Sequence, residues 1–338
     1  MHIPSLRTFI TRRNLLLRAS AAACLAATTG ASLAQPPAWP SKPIRLVVGF
    51  PAGGTTDVMA RVAGAALSKS LGQPVVVDNK PGASGNLGVM ETSKAAPDGH
   101  TLMVAPISVQ TANPFLFKPA LNPERDLRPV ASLGYAQLYL VAKKGLPVQS
   151  ANDLVAMAKA APGKLSYASG GAGTQMHLVG ELFKQQAGFD AVHVPYRGAA
   201  PALQDILAGQ VDYYFDPATG FQHIREGRAR LLAVTGTKRS TFFPEAPTLT
   251  ELGIKGVELG NWFGVFAPAG TPSDIVNRLA GESAKAVALP EVKSRFADLG
   301  AEPIVQDATA FQQTIGAETQ LLSALIKERR IAVDSAQD

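Results

Sequence analysis

The sequence predicts an α/β protein whose two lobes face a shared cleft, and three observations carry that expectation. Apolar strand-like runs alternate with helix-like segments, the pattern of βα units in largely parallel sheets. Two stretches, "RLVVGFPAGGTTDVMARVAGAALSKSLG" at 45–72 and "KLSYASGGAGTQMHLVGELFKQQAG" at 164–188, repeat one architecture of strand, Gly-rich turn and helix. Once an N-terminal leader is set aside, about 300 residues remain, more than a single core usually carries.

The leader comes first. Arg7, Arg12, Arg13 and Arg18 make a basic start, Leu15-Leu16-Leu17 and the Ala-rich run to Ala27 make an apolar stretch, and "SLAQPP" offers cleavage after Ala34. Residues 1–34 therefore read as a secretory signal peptide, too short to be a spanning helix, and the chain as exported to the periplasm. "TRRNLLL" also resembles the twin-arginine motif, so both that route and ordinary Sec export stay open. Cleavage would discard Cys24, the only cysteine, leaving neither a disulfide framework nor a thiol nucleophile. The whole chain carries +6, but four arginines and no acid lie in the leader, so the rest is close to neutral. With no basic stripe interleaved with aromatics, a nucleic-acid partner is not expected.

Beyond the Pro-rich "QPPAWPSKP", Ile44–Val48 is a strand, and Val58, Met59, Val62, Ala63, Ala66 and Leu67 recur at helical spacing after it. Val75–Val77 is a second strand, leading through "NKPGASGNLG" to another helical stretch, and "HTLMVA" is a third. Residues 109–129, with four prolines, read as a loop with short helical turns. "AQLYLVAKKG" and "KLSYAS" are strands around the helix "NDLVAMAKAAPG", capped by Asn152 or Ser150. "AVHVPY" and "VDYYFD" are strands around the helix "APALQDILAG".

The two Gly-rich corners carry the candidate site. The first runs Phe50, Pro51, Ala52, Gly53, Gly54, Thr55, Thr56, Asp57; the second runs Ser169, Gly170, Gly171, Ala172, Gly173, Thr174. Each supplies backbone N–H groups at a helix start, with hydroxyls but no Lys or Arg. That composition suits a singly charged planar anion such as a carboxylate better than a pyrophosphate. Paired glycines also occur simply as tight turns, yet two such units would fit one in each lobe. Ser108, just past "HTLMVA", and Gly198 and Ala199 are further candidate ligand contacts.

Four residues have two readings each. His177 either reaches the cleft or packs and caps; Asp57 either meets a ligand amine or caps its helix. Arg197 is a solvated loop charge or a carboxylate partner, and Asp216 lines the cleft or closes a strand. No nucleophile elbow, phosphate loop or zinc-protease motif occurs, and His100, His177, His193 and His223 lack metal-ligand spacing. No catalytic residue, metal or cofactor is expected.

In these motifs the chain resembles the Bug family of periplasmic tripartite tricarboxylate transporter substrate-binding receptors. The similarity runs from "WPSKPIRLVVGFPAGGTTDVMAR" through "NKPGASGNLG", "APDGHTLMV", "LNPERDLRPVASL" and "VHVPYRGAAPALQDILAGQVD" to "WFGVFAPAGTP". It implies a type II periplasmic-binding-protein fold, two lobes around a ligand cleft. Lobe 1 would take residues 36–133 and 262–338, lobe 2 residues 134–261, with "ASLGYAQLY" and "LGNWFGVF" as the crossings. It also implies that Phe50 to Asp57 and Ser169 to Thr174, with His177 beside them, pinch one ligand carboxylate. The family's "PYKG" is Pro195-Tyr196-Arg197-Gly198 here.

The functional expectation is a monomeric receptor that captures a small organic carboxylate for a membrane transporter or sensor. The alternatives are a two-lobed hydrolase or transferase acting on a carboxylate, and a ligand-free scaffold. Tyr213, Tyr214, Phe215, Phe50 and Trp262 suggest an aromatic cleft wall, hence an aromatic or apolar-bodied carboxylate, although for any single one of them the core is the commoner place.

Overall fold

In chain order the elements are β1 (Ile44–Val48), α1 (Thr55–Leu71), β2 (Val75–Asn79), α2 (Asn86–Ser93), β3 (Thr101–Pro106), and three short helices, α3 (Ser108–Thr111), α4 (Asn113–Leu116) and α5 (Pro123–Asp126). There follow β4 (Leu127–Gln137), β5 (Tyr139–Lys143), α6 (Ala151–Ala160), β6 (Ser166–Ser169), α7 (Gln175–Ala187), β7 (Val192–Pro195), α8 (Ala199–Leu207), β8 (Tyr213–Asp216), α9 (Phe221–Arg225) and β9 (Ala229–Val234). The chain closes with β10 (Gly260–Pro268), α10 (Ser273–Ala288), α11 (Pro290–Asp298), β11 (Ala301–Glu302) and α12 (Ala308–Arg329). The computed structural model describes residues 39–117, 122–329 and 331; the leader with Arg12, Arg13, Cys24 and Ala34 lies outside the described residues. Among the described residues no helix is long and apolar enough to cross a membrane.

Two sheets result. The first has six strands in the order β11-β4-β10-β3-β1-β2, the second five in the order β7-β6-β8-β5-β9. The two Gly-rich units fall one in each, on β1 and on β6. Apart from the half-buried Arg45, β1 is apolar because it lies between β2 and β3 with its residues buried on both faces. α1 buries Met59, Ala63, Ala66 and Leu67 and stops at Gly72, whose φ of 69° gives the left-handed end only glycine adopts cheaply. Ser150 caps α6 in a reciprocal capping box with Asp153, which decides between the two candidate caps.

The expectation of largely parallel sheets holds only for the βα units. β10 runs antiparallel to both β3 and β4, and β5 antiparallel to both β8 and β9. These are the strands by which the chain changes sheets: β4 ends at Gln137 in the first, and β5 begins at Tyr139 in the second. With no helical crossover packed back on the same sheet, nothing forces them parallel.

A second difference lies at the C-terminus. Phe311 and Ile315 of α12 join a core cluster with Met103 and Phe266 of the first sheet. Leu322, Leu325 and Ile326, two to three turns on, join the cluster of the second sheet with Leu178 and Tyr213. Assigning all of 262–338 to the first lobe misses this, because one long helix has enough apolar surface along its length to serve two cores.

Candidate functional site

Three helices begin at one cavity, and none has a side-chain cap. α1 starts after Gly54, α7 after Thr174 and α8 after Gly198, and no side chain accepts their first N–H groups. The orphan donors and the positive helix ends leave a place for negative charge. Gly54, Thr55 and Thr56 line the cavity from α1, Thr174, Gln175 and Met176 from α7, and Gly198, Ala199 and Ala200 from α8. The empty space at this mouth, counted out into open solvent, is about 530 Å³. The remaining walls are apolar: Phe50, Pro51, Pro106, Pro201, Pro217 and Phe263, with Ser108 and Asn261 as polar exceptions. Among the described residues no Asp, Glu, Lys, Arg or His lines it.

The hydroxyl of Thr174 does not cap α7; it turns back into the loop instead, donating to the Gly171 carbonyl at 2.7 Å. It therefore shapes the second loop and has no proton left to donate to a carboxylate. Ser169 does similar work, its hydroxyl donating to the Gly171 carbonyl and accepting the Gly171 N–H. Gly171 has φ +135°, and a Cβ there would lie 2.8 Å from the Ser84 hydroxyl. Only glycine allows that close approach, and Ser84 uses it to donate to the Ala172 carbonyl, joining a loop of the first sheet to one of the second. Ser84 itself sits at φ 52° beside Ala83 at 47°, a strained turn braced by Asn113, whose amide donates to the Ser84 carbonyl.

Several expected contacts are elsewhere. Ala52 and Gly53 are exposed and do not line the cavity. Asp57 is buried but committed: it accepts the Gly53 N–H, the Asn79 amide and the Arg61 guanidinium. Burial pushes its carboxyl up, yet these bonds together outweigh burial and hold it below the usual range. Asp57 is thus the clasp of the first loop.

Asp216 is equally occupied. Fully buried, it accepts the Thr219 N–H and hydroxyl and the Gly220 N–H, and so folds the turn that carries Pro217 to the cavity. Burial, partly offset by those bonds, pushes its carboxyl up to about 6. Thr55 of α1 reaches the same turn, its hydroxyl 3.5 Å from the Pro217 carbonyl.

His177 is a brace as well. It is buried, its Nδ1 accepts the Gly173 N–H at 3.0 Å, and its ring stacks on His193 at 3.9 Å. Burial pushes it down to about 3, so it is neutral. Gly173 serves the same interior, since a Cβ there would meet Leu116 at 2.8 Å. His193 Nε2 lies 2.7 Å from the Ser169 hydroxyl, a pair that on distance alone resembles a nucleophile and its base. Ser169 has no solvent exposure, however, and burial drives His193 far below a useful basicity.

Arg197, Gly170 and Gly171 line a second, wider cavity together with Ser84, Ala172 and His193, separated from the first by Phe50 and Pro51, which face both. Arg197 is exposed there and does not line the first cavity. The expected aromatic wall is not built as expected either. Tyr213, Tyr214 and Phe215 are all core, and Trp262 lies against Tyr135 at 5.0 Å outside the cavity. Strand β8 runs through the middle of its sheet and all four of its residues are buried, so neither face is left for the cleft. The aromatics at the cavity are Phe50 and Phe263.

Gln175, Met176, Asn261, Phe263 and three of the prolines, Pro106, Pro201 and Pro217, were not legible as site residues. A signal existed for two of them: Gln175 directly follows the second loop, and Asn261 is a lone amide in the apolar run "LGNWFGVF". Among the described residues no cluster of His, Cys, Asp or Glu could hold a metal ion.

Comparison with known proteins adds four findings. Residues 59–331 match the tripartite tricarboxylate transporter family receptors. Protein BugT of Bordetella pertussis is 38% identical over 294 residues, 86% of this chain and 90% of BugT. Among solved structures, R. palustris Rpa4515 with adipate is similar at TM-score 0.83 and 34% identity, covering 88% of this chain and all of that one. MatC from Rhodopseudomonas palustris with bound malate is similar at TM-score 0.80 and 32% identity, covering 85% of this chain and all of that one.

Proposed function

This chain belongs to the tripartite tricarboxylate transporter family receptors, and from that premise we propose that it is a solute receptor binding a small organic carboxylate in the first cavity. The observation that carries this reading is the convergence of three uncapped helix starts on a cavity without a cationic side chain. Backbone N–H groups match the planar, singly charged carboxylate and give it directional bonds without the desolvation cost of a buried Lys or Arg. Three such starts can serve more than one carboxylate, in keeping with the adipate and malate held by the two R. palustris proteins. The apolar walls then favour a hydrocarbon body, aliphatic or aromatic, over a strongly hydrated one.

On this reading residues 36–133 with the start of 262–338 form one lobe and 134–261 the other, closing as a monomer around the ligand. The leader directs export to the periplasm, and loaded receptor docks on membrane transporter subunits. The enzymatic alternative gains nothing from Ser169 and His193, whose burial opposes nucleophilic attack.

Calorimetric titration of aliphatic dicarboxylates, benzoate-type acids, citrate, aspartate and glutamate tests the proposal, with thermal shift as a cross-check. A ligand at a hundredfold excess over Kd should stabilise the fold by about 2.7 kcal/mol. Absence of heat and of stabilisation across the whole panel would overturn it.

A further inference from the structure

Three buried polar atoms at the cavity have no hydrogen-bond partner: the Gln175 side-chain carbonyl, the Ser108 hydroxyl and the Asn261 side-chain carbonyl. All three residues line it, at 1%, 1% and 5% exposure. They lie around one strand end, because Gln175 bonds to Gly260 and Ile107 donates to the carbonyl of Trp262, the neighbour of Asn261. An orphan buried acceptor is costly, and a structure that keeps several at one cavity has a donor to offer them.

Gln175 is the sharpest of them, since its amide has only one orientation. Nε2 donates to the Gly260 carbonyl at 3.1 Å and to the Glu318 carboxyl. A backbone carbonyl can only accept, so the nitrogen is pinned there and Oε1 is left as the unpartnered acceptor. The donor it awaits is also constrained in charge. Among the described residues no carboxylate lines the cavity; Asp57 and Asp216 are spent on their own loops, and Glu318 stands behind Gln175. An ammonium brought here would lose its hydration with no counter-charge to compensate, whereas a hydroxyl loses little and satisfies the carbonyl.

We propose that Gln175, with Ser108 beside it, is a specificity site for a ligand hydroxyl, so that the receptor selects hydroxy-carboxylates over both their unsubstituted and their amino-substituted counterparts. The inference rests on the proposed carboxylate function of the same cavity and deepens it.

The test is calorimetry on the wild-type protein with two matched series that differ only at C2: malate, succinate and aspartate, then 2-hydroxyglutarate, glutarate and glutamate. In the series that fits, the hydroxy acid should bind about tenfold tighter than the unsubstituted acid, and the amino acid weaker than the hydroxy acid by at least as much. Gln175→Leu, checked for folding by circular dichroism, should bring the hydroxy-to-unsubstituted ratio down towards one. Equal affinity of malate and succinate, as a bound water filling the site would produce, overturns the inference and leaves the carboxylate receptor standing. So does aspartate or glutamate binding as well as the hydroxy acid. An unchanged ratio in folded Gln175→Leu removes Gln175 from the role, and failure of every acid in both series overturns this inference together with the function it rests on.

Discussion

Glu318 carries a pH signature that can be worked out from its surroundings. The residue sits midway along α12 between the stretch that serves the first core and the stretch that serves the second. Some of its stem is exposed, but its carboxyl is enclosed, with Oε1 accepting from the Thr111 hydroxyl and the Gln175 amide. Burial pushes the carboxyl from an ordinary 4.5 up to about 8, the two hydrogen bonds offsetting burial only in part. The unfolded chain therefore loses this proton first as pH rises from 4.5, while the folded chain holds it until about 8. Across that window the native state binds more protons, so stability falls with rising pH, and is flat on either side.

A rise of that size corresponds to on the order of 5 kcal/mol, and solvent reaching a partly exposed side chain trims it to about 2–4 kcal/mol. Glu318→Gln keeps an acceptor for Thr111 and Gln175 but cannot ionise. Guanidinium unfolding of both proteins at pH 5 and pH 9 should show the variant gaining on the wild type by that amount at the higher pH. Asp216 and the buried tyrosines are common to both and cancel. Parallel pH profiles, or a wild type that gains on the variant as pH rises, would refute the argument.

Two glycines of the loops should separate sharply. Gly54 has φ −77° and only the Pro51 carbonyl, at 3.6 Å, near a would-be Cβ, so Gly54→Val should cost at most about 1 kcal/mol of stability; because it lines the cavity, calorimetry should show carboxylate affinity down by roughly tenfold or more. Gly171→Ala combines φ +135° with a 2.8 Å approach to the Ser84 hydroxyl and should lose about 1–3 kcal/mol in thermal or denaturant unfolding, where an unchanged midpoint would contradict the close packing of the two loops.

Much of the fold was readable because its signals are local. The Leu46-Val47-Val48 run, the helical spacing from Val58 to Leu67, the Gly-rich corners and the box at Ser150 each depend on neighbours within a few positions. Thr55, Thr56, Gly54, Ser108, Gly198 and Ala199 were placed as site residues by sequence, and all of them meet at the one cavity. The polar side chains beside them were harder to place, since the same chemistry serves two ends. A carboxylate at a helix start either faces a ligand or clasps its loop, and Asp57 and Asp216 both clasp.

By itself, then, the sequence determined the two strand–loop–helix corners, the absence of a cation in them, and the succession of elements that sorts into two sheets. Those are consequences of residue type and spacing. Tertiary structure alone decided that Tyr213, Tyr214 and Phe215 are core, that α12 spans both cores, that Arg197 faces a different cavity, and that Gln175, Ser108 and Asn261 stand together with unspent hydrogen-bonding atoms. Each of these is a question of which partner a side chain finds across tens or hundreds of residues. Gln175 owes its orientation to Gly260 and Glu318, 85 and 143 positions away, and no local pattern carries that information.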